Sequence, residues 1–419
     1  MTTFTRRNGM LHADEVALPD IASAVGTPCY VYSRRHFEAQ YQRLRAALNG
    51  LDAEICYAVK ANSNLAVLRV FAALGAGFDI VSGGELQRVI SAGGDPARVV
   101  FSGVGKSAEE IDFALKMGIA RFNVESAPEL ERIAARAQLL SRRAAIAIRV
   151  NPDVDARTHP YISTGLKSNK FGVPLDQAQA LYRRAADSQW LEVHGVACHI
   201  GSQITSPAPL LQAFDSLLTL CDDLAAQGIE LQHIDMGGGL GVHYHDEPEF
   251  DADAYGRSLA TRLDGRRLRL ALEPGRFLVA NGGALLTRIE YLKPAAAAGG
   301  HSFAVVDAGM NDLIRPALYQ AWHDVQPVAP PAPDAHSGRW QIVGPVCESA
   351  DFLAHDRELS IAPGDLLAVL GAGAYGMAQS SNYNSRSRPA EVLVEGSRFH
   401  VIRRRETILD QLRLELEEA

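Results

Sequence analysis

Between about Cys29 and Glu273, apolar residues gather in short runs, and between the runs they recur every three or four positions. Short unbroken apolar runs fit strands buried on both faces, and the three-to-four spacing fits helices with one buried stripe. The runs predict strands at Ile55–Lys60, Phe78–Val81, Val99–Ser102, Arg121–Glu125, Ala145–Val150, Val193–His199, His233–Met236 and Leu268–Glu273. Stretches such as Leu65–Leu74 and Leu210–Leu224 predict the helices between them. Three helix starts repeat one chemistry: Ser82 with Glu85, Ser107 with Glu110, and Ser126 with Glu129. Each serine can accept from a free helix N–H while the glutamate reaches back to the cap. Alternating strands and helices of this number imply an α/β fold and favour a (β/α)8 barrel, with an open doubly wound sheet as the competing architecture.

After Gly283 the pattern changes. Leu285–Leu292, Phe303–Asp307, Trp340–Val343, Leu366–Leu370, Glu391–Val394 and Phe399–Ile402 read as strands with few helices between them, so a second, mainly β domain is expected. The proline-rich stretch from Pro327 to Pro333 reads as a surface loop within it.

Composition narrows the function. A net charge of −8 argues against a nucleic-acid partner, whose phosphates call for clustered Lys and Arg. The five cysteines are scattered, with no CxxC pair, which excludes a disulfide framework or a zinc knuckle. No apolar run is long enough to cross a bilayer, and Met1–Met10 lacks the apolar core of a signal peptide; a cytoplasmic protein is expected.

In a barrel, chemistry collects where strands end. The first strand ends in Tyr57-Ala58-Val59-Lys60-Ala61-Asn62. A lysine there is costly to bury as a charge unless it serves as a Schiff-base amine, although a lysine snorkelling from a strand end is the plainer alternative. Other strand ends carry Ser82-Gly83-Gly84-Glu85, His199-Ile200-Gly201-Ser202-Gln203 and Gly237-Gly238-Gly239. Glycine turns let backbone N–H groups approach an anion closely, and several on one rim favour a phosphate site. The eighth strand ends in Glu273-Pro274-Gly275-Arg276, where a carboxylate can bond a protonated pyridine nitrogen. His199 is placed to stack on such a ring, although taken alone it reads first as a hydrogen-bonded core histidine.

These motifs, with His159–Gly165, Lys170-Phe171-Gly172, Arg315–Tyr319, Cys347–Asp351 and Gly373–Gly376, resemble the alanine-racemase-like (fold type III) enzymes that use pyridoxal 5′-phosphate (PLP). Among them the likeness is to the decarboxylases acting on diaminopimelate. The resemblance implies that Lys60 holds PLP as an imine and that His199 stacks on the ring. It also implies that Ser202, Gly238, Gly239, Glu273, Gly275, Arg276 and Tyr375 contact the cofactor. For the substrate, meso-diaminopimelate, it implies Arg276, Arg315, Tyr319 and Tyr375 as the grip, with Glu348 on the distal ammonium. Cys347 would donate the proton that replaces the departing carboxylate. Lys60, His199 and Cys347 are thus the candidate catalytic residues, and no metal is expected.

The resemblance further implies a homodimer in which Cys347 and Glu348 enter the partner's site. It places residues 28–280 in the barrel, and 1–27 with 281–419 in the β domain. Arg315 suits a distal carboxylate and Glu348 a distal ammonium, which favours diaminopimelate over ornithine, arginine or lysine. A PLP-binding protein without enzymatic activity would lack the second domain. Gly371–Gly376 matches GxGxxG, but the residues after it are poor helix formers, so a chance match is expected. His243 and His245 read as an exposed loop rather than a metal site.

Overall fold

The computed structural model describes residues 3–155, 170–296 and 300–416; the motif His159–Gly165 lies outside them. Two compact units emerge, one built from residues 40–243 and 247–277, the other from 1–39, 244–246 and 278–419.

The first unit holds eight parallel strands: β1 (Ala53–Ala58), β2 (Gly77–Ile80), β3 (Val99–Phe101), β4 (Arg121–Val124), β5 (Ala144–Asn151), β6 (Leu191–Ala197), β7 (His233–Asp235) and β8 (Arg269–Leu272). Neighbours in sequence pair throughout, and β8 returns to β1 through Leu270–Ala53, Ala271–Glu54 and Leu272–Ile55. The sheet is therefore a closed barrel, which the strand count alone left open. Each strand lies between two parallel neighbours, and this is why its sequence is an apolar run rather than an alternation.

Strand ends differ from the sequence reading at the point that matters most. β1 stops at Ala58, and Lys60 lies on a single 3-10 turn, Val59–Ala61. The capping boxes also divide. Ser107 and Glu110 form the complete reciprocal box. Ser82 and Ser126 accept from the N–H groups of Glu85 and Glu129, but those two carboxylates reach one residue further back, to the N–H groups of Val81 and Glu125. They tie each helix to the strand before it instead of closing the cap.

In the second unit the central strand is Gly283–Lys293. It pairs antiparallel with Cys29–Ser33 along Gly283–Leu286, with Leu366–Leu370 along Ala284–Arg288, and with Ser302–Val306 along Ile289–Lys293. Sequence reading grouped Cys29–Ser33 with the barrel. Here it runs parallel to Ala390–Glu395 inside the β sheet. All five of its residues are buried, so it needs neighbours on both edges and cover on both faces. The strand Phe352–Ile361 went unread because charges interrupt it and Asp356 adopts a positive φ of 54°. A three-stranded sheet at the N-terminus and the helix Leu18–Val25 pack onto one core with Val31, Leu286, Val328, Val392 and Val394. No helix among the described residues is long and apolar enough to cross a membrane.

Close approach fixes one helix of the barrel unit. A Cβ at Gly256, in the helix Ala252–Leu263, would stand 1.9 Å from the carbonyl oxygen of Ala47. That backbone atom has no rotamer to escape into. Gly256→Ala is expected to cost roughly 1–3 kcal/mol or more and to lower the melting temperature, measurable by thermal unfolding. Arg257→Ala, on the exposed side of the same helix, should leave the melting temperature unchanged.

Candidate active site

Two lysines stand near strand ends of the barrel, and their surroundings separate them. Lys106 Nζ is fully buried and donates to Glu129 Oε1 at 2.6 Å, Gly103 O at 2.8 Å and Asn123 O at 2.8 Å. Its three donors are spent on structure. The Lys60 side chain is 39% exposed and lies 2.8 Å from Oδ2 of the buried Asp79. Of these two, Lys60 combines a fixed position with access.

Barrel closure brings Glu273 beside Lys60. Ala58 N–H donates to Pro274 O at 3.1 Å, extending the β1–β8 contact beyond both strands. Gly275 is needed here, because a Cβ would stand 2.9 Å from that of Ala61. Glu273 Oε1 accepts from Asn123 Nδ2 at 3.2 Å, and the same amide reaches Ser102 Oγ at 3.2 Å. Burial, with Asp235 and Asp79 nearby, pushes the Glu273 carboxyl well above its ordinary pKa against the opposing pull of Lys60 and Arg121. Asp235 keeps its charge through Arg121, 2.8 Å away, and through the N–H of Gly237.

His199 is half-buried at the end of β6, and its Nδ1 accepts from the N–H of Gly238 at 3.1 Å. Burial, then Arg149 and Lys60, holds this imidazole well below its usual pKa, so the ring is neutral. Ser202 Oγ accepts from Arg276 Nη2 at 3.1 Å. The glycine turn after β7 is shaped first by crowding. A Cβ at Gly238 would come within 2.3 Å of Glu273 O, and one at Gly239, with φ +93°, within 2.4 Å of Gly201 O. The N–H groups of Gly237 and Gly238 are already used within the barrel, so an anion at this rim has Ser202, Arg276 and the Gly239 turn as its candidate holders.

The β unit carries the other five candidates. Arg315 is buried at the start of the helix Arg315–Tyr319, and Tyr319 is half-buried at its end. Tyr375 sits at φ +56° in the turn after Leu366–Leu370. The turn leads directly into the 3-10 turn Met377–Gln379 rather than an α-helix, so the GxGxxG match has no dinucleotide-type helix behind it. Four cysteines are buried, whereas Cys347 is exposed, as is Glu348. Their loop is fastened at its base by Asp351, whose two oxygens accept from the N–H groups of Met310 at 2.6 Å and Val346 at 2.7 Å. Asn384 Oδ1 accepts from the N–H of Cys347 at 2.8 Å.

Sequence reading missed Asp79, Asn123, Arg149 and Asp235. The signal was present: each is a buried polar residue within a barrel strand, a costly position unless paired. His243 Nδ1 bonds to Glu247 O at 2.6 Å, and His245 lies 2.7 Å from its neighbour Asp246.

The donor set suits PLP. It offers an accessible amine on a fixed turn, a carboxyl raised by burial that a cationic ring nitrogen would relieve, a neutral imidazole, and a hydroxyl–guanidinium pair for a phosphate. Comparison with known proteins points the same way. Residues 34–280 match the pyridoxal binding domain of the pyridoxal-dependent decarboxylases. The chain is 59% identical to the diaminopimelate decarboxylase of Pseudomonas aeruginosa over 97% of both chains, and 52% identical to that of Vibrio cholerae over 96% of both. The crystal structure of diaminopimelate decarboxylase from Helicobacter pylori complexed with L-lysine superposes with a TM-score of 0.91 at 42% identity, covering 95% of this chain and 99% of that one. At such identity and coverage, the chain belongs to the pyridoxal-dependent decarboxylases, in the diaminopimelate decarboxylase group.

Proposed function

We propose that the chain decarboxylates meso-2,6-diaminopimelate to L-lysine and CO2 with PLP as cofactor, the last step of lysine biosynthesis. The observation that carries the reading is the placement of the accessible Lys60 next to the buried Glu273 at the closure of the barrel. The substrate follows from relatives of the same name across nearly the whole chain.

PLP, when bound, supplies a sink for the electron pair left behind as the substrate carboxylate departs. Lys60 Nζ is the attachment point, and Asp79 orients that amine. Glu273 would pair with the cofactor's ring nitrogen, a cationic neighbour that would relieve the cost of ionising this buried carboxyl and favour the protonated ring. His199 would offer a neutral face to the cofactor ring; Ser202, Arg276 and the Gly239 turn would hold its phosphate end, with Gly238, Gly275 and Tyr375 as further cofactor contacts. Arg276, Arg315, Tyr319 and Tyr375 hold the distal end of the substrate, and Glu348 its ammonium. Their task is orientation, because the bond to be broken must stand perpendicular to the ring. Cys347 Sγ–H delivers the proton to the carbon that lost CO2.

An exposed proton donor suits a site completed by a second copy. The protein is therefore proposed as a homodimer in which Cys347 and Glu348 serve the partner's barrel, the β unit carrying substrate and dimer contacts. A cytoplasmic location accords with this metabolic role.

The PLP-loaded protein, given meso-diaminopimelate, ornithine, arginine or lysine separately, should release CO2 only from the first, with L-lysine as product. CO2 from a monocarboxylate would overturn the substrate assignment. Lys60→Ala should abolish turnover and the visible imine absorbance together. Cys347→Ala should keep that absorbance and lose roughly 10²–10⁴-fold in kcat. Mixing these two inactive variants should restore part of the activity, since one hybrid site then has both residues. Continued inactivity of a mixed dimer would place Cys347 in its own chain's site.

A further inference from the structure

The guanidinium of Arg315 is held from two sides within the β unit. Its Nη1 lies 2.8 Å from Nε2 of His323. The other nitrogen of that ring, Nδ1, lies 2.7 Å from the carbonyl oxygen of Leu370. A carbonyl can only accept, so Nδ1 carries the hydrogen and Nε2 presents its lone pair to the arginine. His323 has no exposed surface. Its backbone is fixed as well, because His323 O accepts from Arg357 Nη2 at 3.0 Å and the Arg357 guanidinium lies 3.2 Å over the Trp322 ring.

Arg315 Cζ also lies over the Tyr244 ring, 4.7 Å from its centroid. Tyr244 also meets His323 edge-on, with centroids 5.6 Å apart and planes at 70°. A Cβ at Gly371 would come within 3.0 Å of the Tyr244 ring, so this glycine admits the ring. The Tyr244 backbone belongs to the three residues 244–246 that cluster with the β unit rather than with the barrel sequence on either side.

We infer that His323 and Tyr244 are positioning residues that fix the plane and direction of Arg315, and that through it they set the preference for a substrate with a carboxylate at its far end. This rests on the role given to Arg315 above. A guanidinium recognises a carboxylate by a planar fork, so a few tens of degrees of freedom about its axis weaken recognition without altering charge. The imidazole pins one Nη through a hydrogen bond, and the Tyr244 ring packs against the guanidinium carbon. A lysine in place of Arg315 would keep the cation and lose both constraints.

The test uses His323→Ala, His323→Gln and Arg315→Ala in the PLP-loaded enzyme. His323→Ala should raise KM for meso-diaminopimelate about ten- to a hundredfold, the range for losing a hydrogen bond to a charged group, with a much smaller change in kcat. His323→Gln, whose side-chain oxygen can take the place of Nε2, should recover most of the loss. L-Lysine retains the distal carboxylate and cadaverine lacks it. As competitive inhibitors, lysine should weaken in His323→Ala and cadaverine should not. In an Arg315→Ala background, adding His323→Ala should cost nothing further.

If Arg315→Ala leaves KM and lysine inhibition unchanged, the substrate role of Arg315 fails. If Arg315→Ala weakens both and His323→Ala weakens neither, the positioning inference alone fails. Equal weakening of lysine and cadaverine in His323→Ala, without recovery in His323→Gln, would show a general structural role and overturn it too.

Discussion

Closure of the barrel between β1 and β8 is the constraint from which the rest of the site follows. It joins the first strand to the last, so Lys60 and Glu273, remote in the chain, end on adjacent strands. The hydrogen bond from Ala58 to Pro274 carries the register past the strands, and the bare Cα of Gly275 lets the two ends touch. In an open sheet, Lys60 and Glu273 would lie at opposite edges.

Closure also creates a lumen, and its polar residues explain one another. Asp79 needs Lys60, Asp235 needs Arg121, and Glu273 takes the amide of Asn123. Pairs of this kind contribute little net stability, because desolvation offsets their attraction. Removing one member leaves the other buried and unpaired. The lumen thus trades stability for a fixed electrostatic pattern, which catalysis at a strand end requires.

Much of this was legible before any coordinates. Apolar runs located all eight barrel strands, and the chemistry-bearing residues stood where those runs ended. Lys60 was found by its motif, although the strand stops two residues before it. Asp79 and Asn123 were passed over because apolar runs were read as uniform, so one polar residue inside a run drew no notice. Cys29–Ser33 was assigned to the barrel because a buried strand reads alike in either sheet; its partners, Gly283–Lys293 and Ala390–Glu395, are too distant in sequence for local pattern to name. The clamp on Arg315 was invisible for the same reason, since Tyr244, Arg315 and His323 carry no shared periodicity.

The loop bearing Cys347 shows what a single buried carboxylate accomplishes. Asp351 holds two separate stretches of backbone at once, and the amide of Cys347 is tied from a third by Asn384. The conformational entropy of this exposed loop is therefore surrendered when the chain folds, not when another surface meets it. In the homodimer proposed above, a partner would meet a loop whose backbone is already ordered, and its affinity would be spared the cost of ordering a flexible segment.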